Sequence, residues 1–167
     1  MPEKQTKERA ARDKREGKSP STQAGEFVRE EIHHVREGKH GARSPKQAIA
    51  IGLSKARRAG VDLPAPKPGR TSEKTRRSAE RARARGQGSS ATRPPSKRRS
   101  RATKRALSRE PRSTTSGRAL ARQTRQAAAR RDPAERSRAA RKGSRTKGPA
   151  KRSAAAKKAA RTRAERD

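Results

Sequence analysis

In Thr22-Gln23-Ala24-Gly25-Glu26-Phe27-Val28-Arg29-Glu30-Glu31-Ile32-His33-His34-Val35-Arg36-Glu37, the apolar residues Ala24, Phe27, Val28, Ile32 and Val35 recur at helical spacing and span a broad arc. Ser19-Pro20 before the stretch and Gly38 after it are start and stop signals. A second helix is predicted over residues 45–59. Ser44 is placed to cap it, Pro45 suits its first position, Gln47 completes a capping box, and Gly60 is free to turn left-handed at its end. Its core face is Ile49, Leu53 and Ala56, with Ile51 pointing the other way, toward a second packing surface or an oligomer contact. The two helices and the Gly38–Arg43 loop make an αα-hairpin with Phe27, Val28, Ile32, Val35, Ile49 and Leu53 as its core. Arg15-Glu16-Gly17-Lys18-Ser19-Pro20 echoes the later stop and start, which predicts a polar helix over about residues 3–16.

Outside the hairpin the apolar supply fails. Leu, Ile, Val and Phe number 11 of 167 residues, and nine of the eleven lie between Phe27 and Leu63. That share is far below the roughly 20% under which a highly charged chain is expected to be disordered. Ordering a residue costs on the order of 1–2 kcal/mol, which alanine burial does not offset over the whole length. The expected fold class is therefore a mostly disordered chain with a small all-α module and alanine-arginine helical segments in the tail. Residues 1–18 read as a polar N-terminal helix or arm, 19–63 as the hairpin module, and 64–167 as a basic, largely disordered tail beyond a Pro-rich joint.

Helix potential in the tail falls over residues 73–85, 99–109, 117–131 and 151–166, between breakers at Gly86-Gln87-Gly88, Pro94-Pro95, Pro111, Pro133 and Gly148-Pro149. The segments around Leu107 and Leu120 echo each other, but one Leu apiece is too little to fold them as a pair.

Charge points to the partner. Fifty Lys and Arg against 16 Asp and Glu give a net charge of +34. Residues 1–63 hold 15 basic and 9 acidic side chains, while residues 64–167 hold 35 and 7. Such a chain concentrates polyanions around itself and gains from counterion release on phosphate. The predicted phosphate contacts are Lys46, Lys55, Arg57 and Arg58 of the second helix and, beyond it, Arg76, Arg77, Lys97, Arg98, Arg99, Arg130, Arg131, Arg141, Lys142, Lys151, Arg152, Lys157 and Lys158. Duplex DNA is favoured over RNA and single strands, because base recognition there relies on aromatic stacking and Phe27 is the lone aromatic. A helix-turn-helix with Lys46 and Gln47 at base edges fits the spacing, although a third apolar helix is missing from the pattern.

Other classes fare worse. No membrane partner is expected: the longest apolar run, Ala48–Leu53, is six residues against the roughly 20 needed to span a bilayer. Without cysteine there are no disulfides and no thiolate metal sites. His33, His34 and His40 are read as exposed or phosphate-contacting rather than as ligands, so no metal and no cofactor is expected. Nothing resembles a nucleophile with a base and a scaffold, so neither an enzyme nor a small-molecule substrate is expected.

The block Ser21–Ser44, continued by Lys46–Val61, resembles a family of small basic bacterial proteins, uncharacterised and often labelled only as DNA-binding. Thr71–Glu80 and Lys97–Arg131 are similar to it as well, and the last thirty-odd residues resemble linker-histone-like tails. The resemblance implies a bacterial source and no catalytic residue. Together these readings predict a cytoplasmic, nucleoid-associated protein that binds or condenses duplex DNA without sequence preference, and they leave homo-oligomerisation open. Two alternatives stand beside it: an RNA- or ribosome-associated basic protein, and a protein-interaction module using the acidic helix 22–37.

Overall fold

Serines and glycines set the helix boundaries. Ser44, Ser72 and Ser96 each accept a hydrogen bond from a backbone N–H three residues on, at 3.3 Å, and open helices there. At four helix ends the N–H following a glycine returns to a carbonyl five residues back: Lys18 to Asp13, Lys39 to His34, Val61 to Ala56 and Ser89 to Ala84. This wrap needs a positive φ at the glycine, +78° at Gly38 and +91° at Gly60.

The computed structural model describes residues 2–89 and 96–165. Among them the chain forms α1 (Lys4–Arg15), α2 (Pro20–Arg36), α3 (Pro45–Arg58), α4 (Glu73–Gly86), α5 (Lys97–Ser108), a 3₁₀ turn (Arg112–Thr115), α6 (Gly117–Ala129) and α7 (Pro133–Ala164), with no strand. The chain divides into two compact units, Met1–Gln123 and Thr124–Asp167.

In the first unit α2 and α3 form the expected hairpin. α1 packs on α2, α4 packs on α3, and the 3₁₀ turn lies against both hairpin helices. α3 is thus packed on two sides, and Ile51 is half-buried. One core cluster joins Ala10, Ala24, Phe27, Ala56 and Val61, with Leu53 and Leu63 against it; a second joins Val35, Ala42 and Ala48. Phe27 and Val35 are buried as expected, whereas Val28, Ile32, Ile49 and Leu53 are only half-buried. Much of the interior is alanine and glycine. A Cβ on Gly52 would stand 2.7 Å from the Val28 Cα, and one on Gly86 would overlap the Arg57 carbonyl. The backbones themselves are in contact at these crossings.

The expectation of a mostly disordered chain is overturned, because α4–α7 occupy most of segment 64–167. That expectation counted large apolar residues and undervalued alanine, the strongest helix former, which loses no side-chain entropy on burial. Ala24, Ala42, Ala48 and Ala56 are fully buried and let helices approach closely. Local ion pairs add support: Arg76 bridges Glu73 and Glu80 along α4.

In the second unit none of the described side chains of α7 is buried. Asp132 caps it by accepting from the Ala134 N–H at 3.1 Å. Pro133, expected to break structure, is its first residue, which suits a proline. The expected break at Gly148-Pro149 is a kink, with Gly148 at φ +66°. The stretch 133–147 ahead of it is helical too, beyond the predicted 151–166 segment. Arg166, the end of that segment, and the expected breaker Pro94-Pro95 lie outside the described residues.

Candidate nucleic-acid interface and a buried carboxylate–imidazole cluster

The structure sorts the predicted phosphate contacts into committed and exposed groups. Lys55 points inward, with its ammonium 2.5 Å from Glu31 Oε2 and 3.6 Å from Glu30 Oε1. Arg57 is 7% exposed. Its Nε donates to the Leu63 carbonyl at 3.1 Å and its Nη2 to the Pro64 carbonyl at 2.9 Å. Burial lowers its pKa from the ordinary arginine value. Lys55 and Arg57 therefore spend their donors within the fold. Arg76 and Arg77 are tied to Glu73 at 2.6 Å and 3.2 Å, and the Arg76 bond is the main cause of a lowered Glu73 pKa. Exposed pairs of this kind are worth little. Gln47, read as reaching bases, instead accepts the Arg43 N–H at 2.7 Å, a capping role displaced by one residue.

The remaining cations, Lys46, Arg58, Lys97, Arg98, Arg99, Arg130, Arg131, Arg141, Lys142, Lys151, Arg152, Lys157 and Lys158, are exposed. Arg152 reaches back to the Ser144 hydroxyl, donating at 2.9 Å across the kink of α7.

The densest positive surface is on α5. Its residues include Lys97, Arg98, Arg99, Arg101, Lys104 and Arg105 and no acid. Arg98, Arg101 and Arg105, with Arg109 at the C-cap, line a shallow groove of about 610 Å³ floored by Ala102 and Ala106. Their spacing of three, four and four keeps them on one face, over about 16 Å at 1.5 Å per residue. The C-terminal end of α5 is anchored to the hairpin loop: the Gly41 N–H donates to the Leu107 carbonyl at 2.8 Å, and Arg43 stands 3.4 Å from Glu110. Gly41 has no room for a side chain against the Glu110 carbonyl. Sequence reasoning found Arg98 through the Lys97-Arg98-Arg99 run but missed Arg101, Arg105 and Arg109. Helical periodicity of arginine, rather than adjacency, is the signal that finds them.

A second constellation lies inside the hairpin. Glu31 is fully buried and Glu30 nearly so. Apart from Lys55, Glu31 meets His40, whose Nε2 is 3.1 Å from Glu31 Oε1. No donor is aligned for a hydrogen bond to either Glu31 oxygen or to Glu30 Oε1, although these cations are within ion-pair distance. His34, its side chain 12% exposed, places Nε2 2.9 Å from Glu3 Oε1 and 3.9 Å from Glu30 Oε1. Glu3 also holds Lys39 at 3.2 Å, and its backbone N–H donates to Glu30 Oε2 at 3.3 Å. These contacts, the His34 bond first, keep the Glu3 carboxyl below its ordinary pKa. One ligand atom each from Glu31, His34 and His40 can be chosen so that all three lie within 4.8 Å of one another. The sequence reading expected solvent or phosphate around the histidines. Only His33 is exposed.

Among the described residues no helix is long and apolar enough to cross a membrane. No curated protein and no solved structure matches the chain. Residues 14–67, which hold the end of α1, the hairpin and the segment that Arg57 clasps, are similar to a family of unknown function (DUF6496).

Proposed function

We propose that this chain is a non-enzymatic nucleic-acid-binding protein that grips duplex DNA by its phosphates, without reading bases, in the manner of a nucleoid-associated protein. The observation that carries the reading is α5, a helix with six cations, no acid and an arginine-lined face, docked by one end to a packed hairpin. Arginine forks match phosphate geometry. The exposed cations of α7 add contacts of the same kind. Phe27 is 1% exposed, so stacking on unpaired bases has no aromatic platform.

The test is a competition titration of the full chain with duplex DNA, single-stranded DNA and structured RNA across about 50–400 mM salt. Duplex preference with a steep log–log salt slope and no sequence dependence is expected. Replacing Arg98, Arg101, Arg105 and Arg109 by Gln should flatten that slope by about 3.6 if each neutralises one duplex phosphate. Weak binding to all three ligands, or an unchanged slope in the variant, refutes the reading. Tighter, salt-resistant binding to RNA replaces it with a ribosome- or RNA-associated role.

A further inference from the structure

We propose that Glu31, His34 and His40 bind one divalent transition-metal ion of the zinc type, in a site independent of the nucleic-acid face. Glu31 and His34 are three residues apart on α2 and therefore project from one side of the helix. His40 joins them from the loop between α2 and α3, and the three ligand atoms lie within 4.8 Å of one another. Two imidazole nitrogens and one carboxylate oxygen form a set that suits zinc, with a fourth position left for water. Magnesium and calcium favour oxygen ligands and fit it poorly.

The hydrogen bonding of His40 supports the assignment. Its Nδ1 lies 3.1 Å from the Gly41 carbonyl, which can only accept, so Nδ1 carries the hydrogen. In the neutral ring, Nε2 then presents a lone pair to Glu31 Oε1 3.1 Å away, itself an acceptor. Two acceptors at that distance require a cation on or between them. A backbone carbonyl on the far nitrogen is the outer contact that orients metal-bound histidines.

Charge points the same way. Two buried carboxylates, Glu30 and Glu31, share the single ammonium of Lys55. With both imidazoles neutral, one negative charge is left in a site where three carboxylate oxygens have no aligned donor. Buried charge is tolerated when it is paired or binds metal. A divalent ion coordinated by Glu31 more than offsets that charge and leaves Lys55 to Glu30.

The experiment titrates Zn²⁺ by calorimetry, and Co²⁺ by visible absorption, into nucleic-acid-free full-length protein in excess Mg²⁺. One ion per chain and the intense visible bands of low-coordinate Co²⁺ are expected. His34→Gln and His40→Gln should each weaken binding at least about tenfold, with helicity at 222 nm unchanged, while His33→Gln, on an exposed neighbour, leaves binding as it was. Glu31→Gln should abolish it; because that change also disturbs a buried ion pair, the two histidine variants decide the matter. Absence of saturable binding by either ion, or binding indifferent to both histidine substitutions, overturns the proposal in favour of a protonated His40 paired with Glu31.

Discussion

Two glycines of the hairpin should respond to alanine with opposite signs. Gly25 in α2 is exposed, and a Cβ there would meet nothing within 4 Å. Gly25→Ala should therefore show the full difference in helix propensity, stabilising by about 0.5–1 kcal/mol. Gly52 in α3 gains the same propensity. Its new methyl would stand 2.7 Å from the Val28 Cα and 3.0 Å from both the Phe27 carbonyl oxygen and Val28 Cγ2. Two of those three atoms belong to backbone and cannot rotate away, so α2 must retreat by about 1 Å to reach ordinary contact near 3.5–4.0 Å. Overpacking of this kind costs about 1–3 kcal/mol, leaving Gly52→Ala destabilised by roughly 1 kcal/mol net. The variants should thus differ by about 2 kcal/mol, or roughly 8 °C in Tm for a unit of this size. Thermal and urea denaturation of the full chain at 222 nm reads the difference. If both substitutions stabilise equally, the α2–α3 crossing is not closed at Gly52 and the hairpin packing described above is wrong.

Arg57→Ala removes both donors that hold the Leu63 and Pro64 carbonyls and should cost about 2–3 kcal/mol in urea denaturation. It should leave the salt slope of DNA binding unaltered, whereas a shallower slope would return Arg57 to the phosphate face. Glu3 has a folded pKa below its unfolded one, so its stabilising contribution is complete above the unfolded value and is lost as pH falls through the folded value. The α1 amides should accordingly lose exchange protection below about pH 4; Glu3→Gln should remove that step, and an unchanged acid profile would show that Glu3 does not tie the N-terminus to α2.

The hairpin was legible because its signals are local. Apolar spacing places Phe27 and Val35 inside, Ser44 caps, and Gly38 and Gly60 stop their helices. The helices of the second half were legible as propensity, within a few residues of 73–85, 99–109 and 117–131, but not as ordered structure. The missing information is tertiary. Gly86 against the Arg57 carbonyl and Gly41 against Glu110 join segments far apart in the chain, through contacts that no apolar count records. The same holds for the site. Lys55 and Arg57 look like any basic pair until Glu31 and the Leu63–Pro64 carbonyls are brought beside them. Adjacent His33 and His34 differ only in that one faces solvent and the other faces Glu3 and Glu30.

The distribution of acids explains why the cations of the two regions behave differently. Nine of the 16 acidic residues lie within the first 63, where they engage Arg9, Lys18, Arg29, Lys39 and Lys55. α4 repeats this compensation on one helix, with Glu73 and Glu80 set against Arg76. α5 has none, and Glu110, two residues beyond its end, is turned to Arg43. Along its arginine face the successive pairs Arg98–Arg101, Arg101–Arg105 and Arg105–Arg109 are like charges at helical-neighbour spacing. Each costs about 0.2–0.5 kcal/mol, so the face costs the free helix on the order of 1 kcal/mol. A single interleaved Glu would have relieved it, as in α4. An anion that reached several arginines at once would remove the repulsion instead, and the row of phosphates in the proposed duplex complex meets that requirement better than any isolated carboxylate. On the proposed function, binding and helix stability in α5 are two readings of the same electrostatic term.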